Sequence, residues 1–207
     1  IMYALVESGT ITKYFSYPKG FTLGELQYPA DIFMKWSVEE KEAIGIYEVV
    51  FDDNNKKNEQ WYINTNQTFA FADGVVTASY DTAIAKSHAD SLWTQQDSDD
   101  GNLPSDKSVG DVRGEGLKTT LIRTLKSQVA GILKNTDWYI TRNTEKSTAI
   151  PSSISTHRDA VRTKQAAMEA QITGAADTAA LETLYTFTEQ ENGSVTRPLG
   201  ELPVLES

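Results

Sequence analysis

The sequence predicts an α+β protein. A small antiparallel β-rich module comes first, then a helical hairpin or short bundle, with a β-hairpin near the carboxyl end. Three observations predict it. Residues 1–80 hold short β-prone runs broken by two hairpin turn signals, Ser8 with Gly9 and Asp73 with Gly74. Residues 114–186 switch to apolar spacing of helical period. Between them, residues 81–113 are polar, acidic and rich in turn formers. They read as a linker or exposed loop, with a short helix around 81–93 anchored by Trp93.

In the first segment, ALVESGTITKYF folds back at Ser8 and Gly9. QTFAFADGVVTASY carries Asp73 and Gly74, which suit a type I′ turn because both central residues need positive φ. A two-residue loop there pairs Phe71 with Val76 and Phe69 with Ala78 on one buried face. Thr68, Ala70, Thr77 and Ser79 then share the other, more polar face. Between the hairpins, Ser37 and Glu40 fit a capping box that opens a helical turn or two, and Gly45 stops it. IYEVVF then alternates as a strand, DDNNKKNE is a polar loop, and WYIN resumes the strand. Tyr3, Trp36, Tyr47, Trp61, Phe69 and Phe71 are expected to supply most of a small core.

In the second half, Leu117, Leu121, Ile122, Leu125, Val129, Ile132 and Leu133 fall on one helical stripe, and Asn135 and Thr136 end it. TDWYITR, residues 136–142, then reads as an extended crossover. It would send one of the rings of Trp138 and Tyr139 to the core and the other to a neighbouring surface. The next helix starts after Pro151 with Ser152 or Ser153 as cap, and carries Ile154, His157, Val161, Met168 and Ile172. A third starts at Asp177 and carries Leu181, Leu184 and Tyr185. Facing stripes of this kind make a helical hairpin. Asn192 and Gly193 mark a second β-hairpin, whose last strand Pro198 confines to an edge. The final ELPVLES is expected to be loosely held. The domain reading is therefore 1–80, 81–113 and 114–207.

Charge and composition exclude several classes of function. The net charge is −10, about −5 from residues 1–80, −4 from 81–113 and −1 from the rest. With no basic stripe to offset it, neither a nucleic acid nor an anionic membrane surface is an expected partner. No apolar run approaches the length of a membrane span, and the opening IMYALVESGT has no signal-peptide pattern. Cysteine is absent and there are 2 histidines, His88 and His157. Thiolate chemistry is excluded, and a zinc site would need distant carboxylates. No metal or other cofactor is expected.

The motifs that resemble chemistry fail on spacing. With Gly101 of DSDDGN as the sixth residue of a calcium loop, Lys107 falls where the bidentate glutamate belongs. GDVRGEG matches neither a dinucleotide fingerprint nor a P-loop. Glu39, Glu40 and Glu42 read as helix-start carboxylates rather than a catalytic pair. The triplets NQT and NGS carry the glycosylation pattern, which is common by chance. The aromatic residues singled out for binding are Trp61, Tyr62, Trp93, Trp138 and Tyr139. Exposed rings among the first three would suit stacking on host surface glycans.

MYALVESGTITKYFSYP, QYPADIF, WSVEEKEAIGIYEVVF and FADGVVTASY resemble, in that order, a module of tailed-bacteriophage tail and tail-fibre accessory proteins. LKNTDWYITRNTEKSTAIPSSISTHRDAVR resembles the helical part of the same group, with its DW, IP and VR spacing, and with His157 where a tyrosine is usual. The resemblance covers roughly residues 2–190. It implies a non-enzymatic protein of the virion, or of the host cytoplasm during phage assembly. Such a protein would bind a tail or fibre protein as assembly chaperone or structural adaptor, and could self-associate.

Overall fold

The computed structural model describes residues 1–205. The chain is α+β, with a β-rich amino-terminal region followed by helices. It divides into two compact units, Ile1–Ile84 and Ala85–Ser207.

The first unit contains β1 (Tyr3–Glu7), β2 (Thr10–Phe15), β3 (Phe21–Leu23), β4 (Leu26–Tyr28), α1 (Ile32–Lys35), α2 (Val38–Glu42), β5 (Ile46–Asp52), β6 (Tyr62–Ile63), β7 (Thr68–Ala72), β8 (Val75–Ser79) and, at its end, β9 (Ile84–Ala85). Five strands form one sheet in the order β2-β1-β5-β8-β7. Both hairpins form where the turn residues place them. Ser8 and Gly9 have φ of 52° and 79°, and Asp73 and Gly74 have 50° and 77°. Phe71 pairs with Val76 and Phe69 with Ala78. Val76 and Ala78 are fully buried, and both phenylalanines are half-buried beside them.

The sheet departs from an all-antiparallel module at one seam, where β5 and β8 run parallel. The cause is connectivity. The polar loop after β5 leads through β6 and β7 before the chain returns as β8, so no tight turn joins the paired strands. The sheet's two edge strands approach each other, with the rings of Tyr14 on β2 and Phe69 on β7 4.7 Å apart.

Two apolar clusters lie on opposite faces of β1, as strand alternation requires. Ala4 and Val6 pack with Val49, Val76 and Ala78. Tyr3 and Leu5 pack with Phe15, Phe21, Ile32, Phe33 and Ile46. Phe15, Phe21 and Phe33 were not among the expected core residues. Trp36 lies at this cluster's margin, and Tyr47 and Phe71 at the other's. The capping box forms in both directions between Ser37 and Glu40. Gly45, at φ 81°, turns the chain from α2 into β5. A Cβ on Gly45 would run into the Val6 carbonyl oxygen.

The second unit contains β10 (Ser91–Leu92), α3 (Gln95–Asp99), β11 (Val112–Gly114), α4 (Leu117–Lys134), α5 (Asp137–Lys146), α6 (Ser152–Gly174), α7 (Thr178–Tyr185), β12 (Thr188–Glu189) and β13 (Val195–Thr196). The expected helix over 81–93 does not form. Its backbone serves α4 instead. The carbonyls of Ser87 and His88 accept from the N–H groups of Leu117 and Lys118, and the Asp90 carboxylate accepts from Gly116 N–H at 2.7 Å and from the Thr119 hydroxyl. Donors that a helix start leaves unpaired are thereby satisfied from outside the helix.

Beyond it, β10 pairs with β11, and Trp93 exchanges backbone hydrogen bonds with Gly110 and Asp111. The acidic stretch read as a linker or loop is thus an ordered excursion within the second unit. The core of that unit follows the predicted stripes. Leu125 and Val129 of α4 face Ile154, His157, Val161, Met168 and Ile172 of α6, all buried. Asp177 caps α7, accepting from Ala180 N–H at 2.8 Å. β12 and β13 form the expected second hairpin.

Candidate functional site

The strongest constellation of side chains in the second unit is the junction that joins α4, α5 and α6. α4 ends at Lys134, as its sequence predicts. The crossover that follows is not extended. Residues 137–146 form α5. Trp138 and Arg142 are four apart, the spacing at which side chains meet on a helix, and that local signal could have identified α5.

Arg158 is the centre of the junction. It lies on α6 beside His157 and is buried. Its Nη1 donates to the Leu133 carbonyl at 2.8 Å and to the Thr136 hydroxyl oxygen at 2.7 Å. The same nitrogen lies 3.0 Å from the Asp137 carboxylate. The Thr136 hydroxyl donates to the Leu133 carbonyl at 3.0 Å. One guanidinium therefore adds a charged donor to the Leu133 carbonyl at the end of α4, orients the buried Thr136, and pairs with the first residue of α5.

The rings of Trp138 and Tyr139 lie outside this junction. Trp138 is 51% exposed. Its ring lies 3.8 Å from that of Tyr139, which is half-buried. The Arg142 guanidinium carbon sits 4.7 Å from the Trp138 ring centre and 5.5 Å from that of Tyr139. No residue of α5 is buried.

The other sequence-predicted residues are scattered. Trp61 and Tyr62 are buried, at 2% and 7% exposure, so neither can stack on a sugar. Trp93 is half-buried, with the Arg113 guanidinium over its ring at 4.7 Å and Asp97 holding that guanidinium. None of the three rings considered for stacking on glycans, Trp61, Tyr62 and Trp93, is largely exposed.

Nor do the two histidines meet. The His88 carbonyl bonds to Lys118 at the start of α4, whereas His157 lines a depression with Asn135 and Thr136 at its end. The intervening helix spans roughly 25 Å at its usual rise. Among the described residues no cluster of three metal-ligating side chains occurs, and no helix is long and apolar enough to cross a membrane.

Residues 202–205 lie beside Ile132, Asn135, Thr136 and His157 at this end of the helices. Leu199 is 1% exposed and donates its N–H to the Leu184 carbonyl at 3.0 Å. Leu202 and Pro203 are half-buried. The chain is therefore anchored at Leu199; of the final ELPVLES, Glu201, Val204 and Leu205 are exposed, and residues 206 and 207 lie outside the described residues. An open depression of about 480 Å³ beside it is lined by Gln128, Ile132 and Met168, with Arg197 and Glu201 as its ionisable groups. Those two already pair with each other at 2.7 Å.

The carboxylates held below their usual range serve architecture. Hydrogen bonds from Gly116 and then Thr119 depress Asp90, those from Thr94 depress Asp97, and Arg123 depresses Glu115. Each ties a loop or helix end. Beside the junction, α5 presents the exposed Trp138 ring next to the Arg142 guanidinium.

Comparison of the chain with protein-family models, with curated proteins and with solved structures finds no match.

Proposed function

We propose that this chain is a non-enzymatic tail- or fibre-associated protein of a tailed bacteriophage. It acts as assembly chaperone or structural adaptor by binding a tail or fibre protein, in the virion or in the host cytoplasm during assembly. The observation that carries the reading is the junction. Thr136, Asp137 and Arg158, which lie in the segment that resembles phage tail proteins, are bound to one another. That spacing therefore builds a scaffold, and it leaves Trp138 exposed with the half-buried Arg142 packed near its ring. The ordered resemblance along most of the chain supports the same reading, as does the pairing of a β-rich unit with a helical one.

Co-expression of the tagged chain with each tail and fibre product of its neighbouring genes tests the proposal. Specific co-purification of one such product at near-stoichiometric yield is expected. Absence of any such association across the whole set would refute it.

A further inference from the structure

The outer surface of α5 carries an imbalance that the junction does not use. The sequence has six arginines. Five have a carboxylate partner: Arg113 with Asp97, Arg123 with Glu115, Arg158 with Asp137, Arg162 with Asp159, and Arg197 with Glu201. Arg142 has no ion pair among the described residues. Its Nε is buried against its surroundings with no hydrogen-bond partner there. The guanidinium instead packs near the rings of Trp138 and Tyr139.

The local charge has the opposite sign to the chain's. Residues 134–158 contain Lys134, Arg142, Lys146 and Arg158 against Asp137 and Glu145, a net positive segment in a chain of net charge −10. Tryptophan, tyrosine and arginine are also the residues that most often dominate protein interfaces. A guanidinium placed against a ring keeps in-plane N–H groups that match a carboxylate.

We infer that Trp138, Tyr139 and Arg142 form a docking site for an acidic segment of a partner protein. The segment would place a carboxylate on Arg142 and an adjacent apolar side chain on the Trp138 ring. Charge complementarity selects this occupant. A phosphate backbone would meet one unpaired arginine on an acidic chain, too little to overcome the general repulsion. The inference rests on the adaptor reading, and names the chemistry of its partner.

The test uses the full chain and two blocked tetrapeptides, Leu-Asp-Asp-Leu and its amide counterpart Leu-Asn-Asn-Leu. Binding is followed by the Trp138 indole and Arg142 Nε resonances in proton–nitrogen correlation spectra. The acidic peptide is expected to shift both saturably. The amide peptide should bind about 10-fold more weakly, the loss expected for a charge-assisted hydrogen bond. Arg142→Gln should weaken the acidic peptide by a similar factor, with Arg142→Lys between the two. Equal binding of both peptides, or indifference to Arg142→Gln, would overturn the inference.

A second arm separates it from the adaptor reading. If wild type and Arg142→Gln capture the same fibre product equally, the docking site is wrong and the adaptor reading stands. If the acidic peptide binds as described but no tail or fibre product is captured, the adaptor reading fails and the docking chemistry stands. Concentration-dependent dimerisation abolished by Arg142→Gln would make a second copy the occupant and overturn the assignment to a partner protein.

Discussion

Arg158 on α6 donates to the hydroxyl oxygen of Thr136, 22 residues earlier in the chain, at 2.7 Å, with both side chains buried. This contact ties the junction of α4 and α5 to α6. It also gives the stretch TDWYITR a structural role.

The two partners of Arg158 are unequal, and that inequality is measurable. Asp137 is 58% exposed at its side chain, so its ion pair is screened by water. The buried Thr136 hydroxyl oxygen loses its donor if Arg158 is removed, and the Leu133 carbonyl loses its charged one while keeping those of Thr136. Arg158→Met should cost about 2–3 kcal/mol in urea unfolding. Asp137→Asn should cost under about 1 kcal/mol.

The Asp90 carboxylate gives a pH signature. Its folded pKa is depressed, first by the Gly116 N–H and then by Thr119. A depressed carboxylate contributes stability that is present above its unfolded pKa and is lost as the pH falls through its folded value. Thermal unfolding of wild type and Asp90→Asn should therefore differ at neutral pH. The gap should close as the solution is acidified below the ordinary aspartate range. A gap independent of pH would mean that Asp90 does not hold the start of α4 as a carboxylate.

Gly45 makes a steric prediction in the first unit. Its φ is 81°, and a Cβ would meet the backbone oxygen of Val6, which cannot rotate away. Gly45→Ala should destabilise by more than about 1 kcal/mol, whereas Gly9→Ala, with open space around it, should pay only for its positive φ. Denaturant unfolding of the two variants makes the comparison.

The carboxyl-terminal strap predicts a steep gradient over a few residues. Leu199 is 1% exposed and Val204 is 85% exposed. Leu199→Ala should cost about 2–4 kcal/mol through the cavity it leaves. Val204→Ala should stay within about 0.5 kcal/mol of wild type.

These sites divide by how local their cause is. The turns at Ser8 with Gly9 and Asp73 with Gly74, the capping box at Ser37, and the stripes of α4 and α6 are written in neighbouring residues, and all are legible in the sequence. The packing of Phe15, Phe21 and Phe33 is not, because it depends on β2, β3 and α1 converging. The parallel seam between β5 and β8 also follows from topology rather than from either strand's composition. Residues 81–93 carry weak helical signals, but their backbone is worth more as caps on α4. Arg158 falls directly after His157 on a buried stretch of α6. A charge there requires partners, and this was the one signal that could have pointed to Thr136 and Asp137. Of the five candidate aromatic residues, Trp138 alone is largely exposed, and its pairing with Arg142 was local enough to be read.

The central claim is that the protein works by holding another protein. The most direct measurement is the solution mass of the purified chain, 22.9 kDa, alone and mixed with the fibre or tail product of an adjacent gene. The account predicts a defined complex whose mass is the sum of whole subunits. Two species that keep their separate masses at every mixing ratio, for every such product, would contradict it.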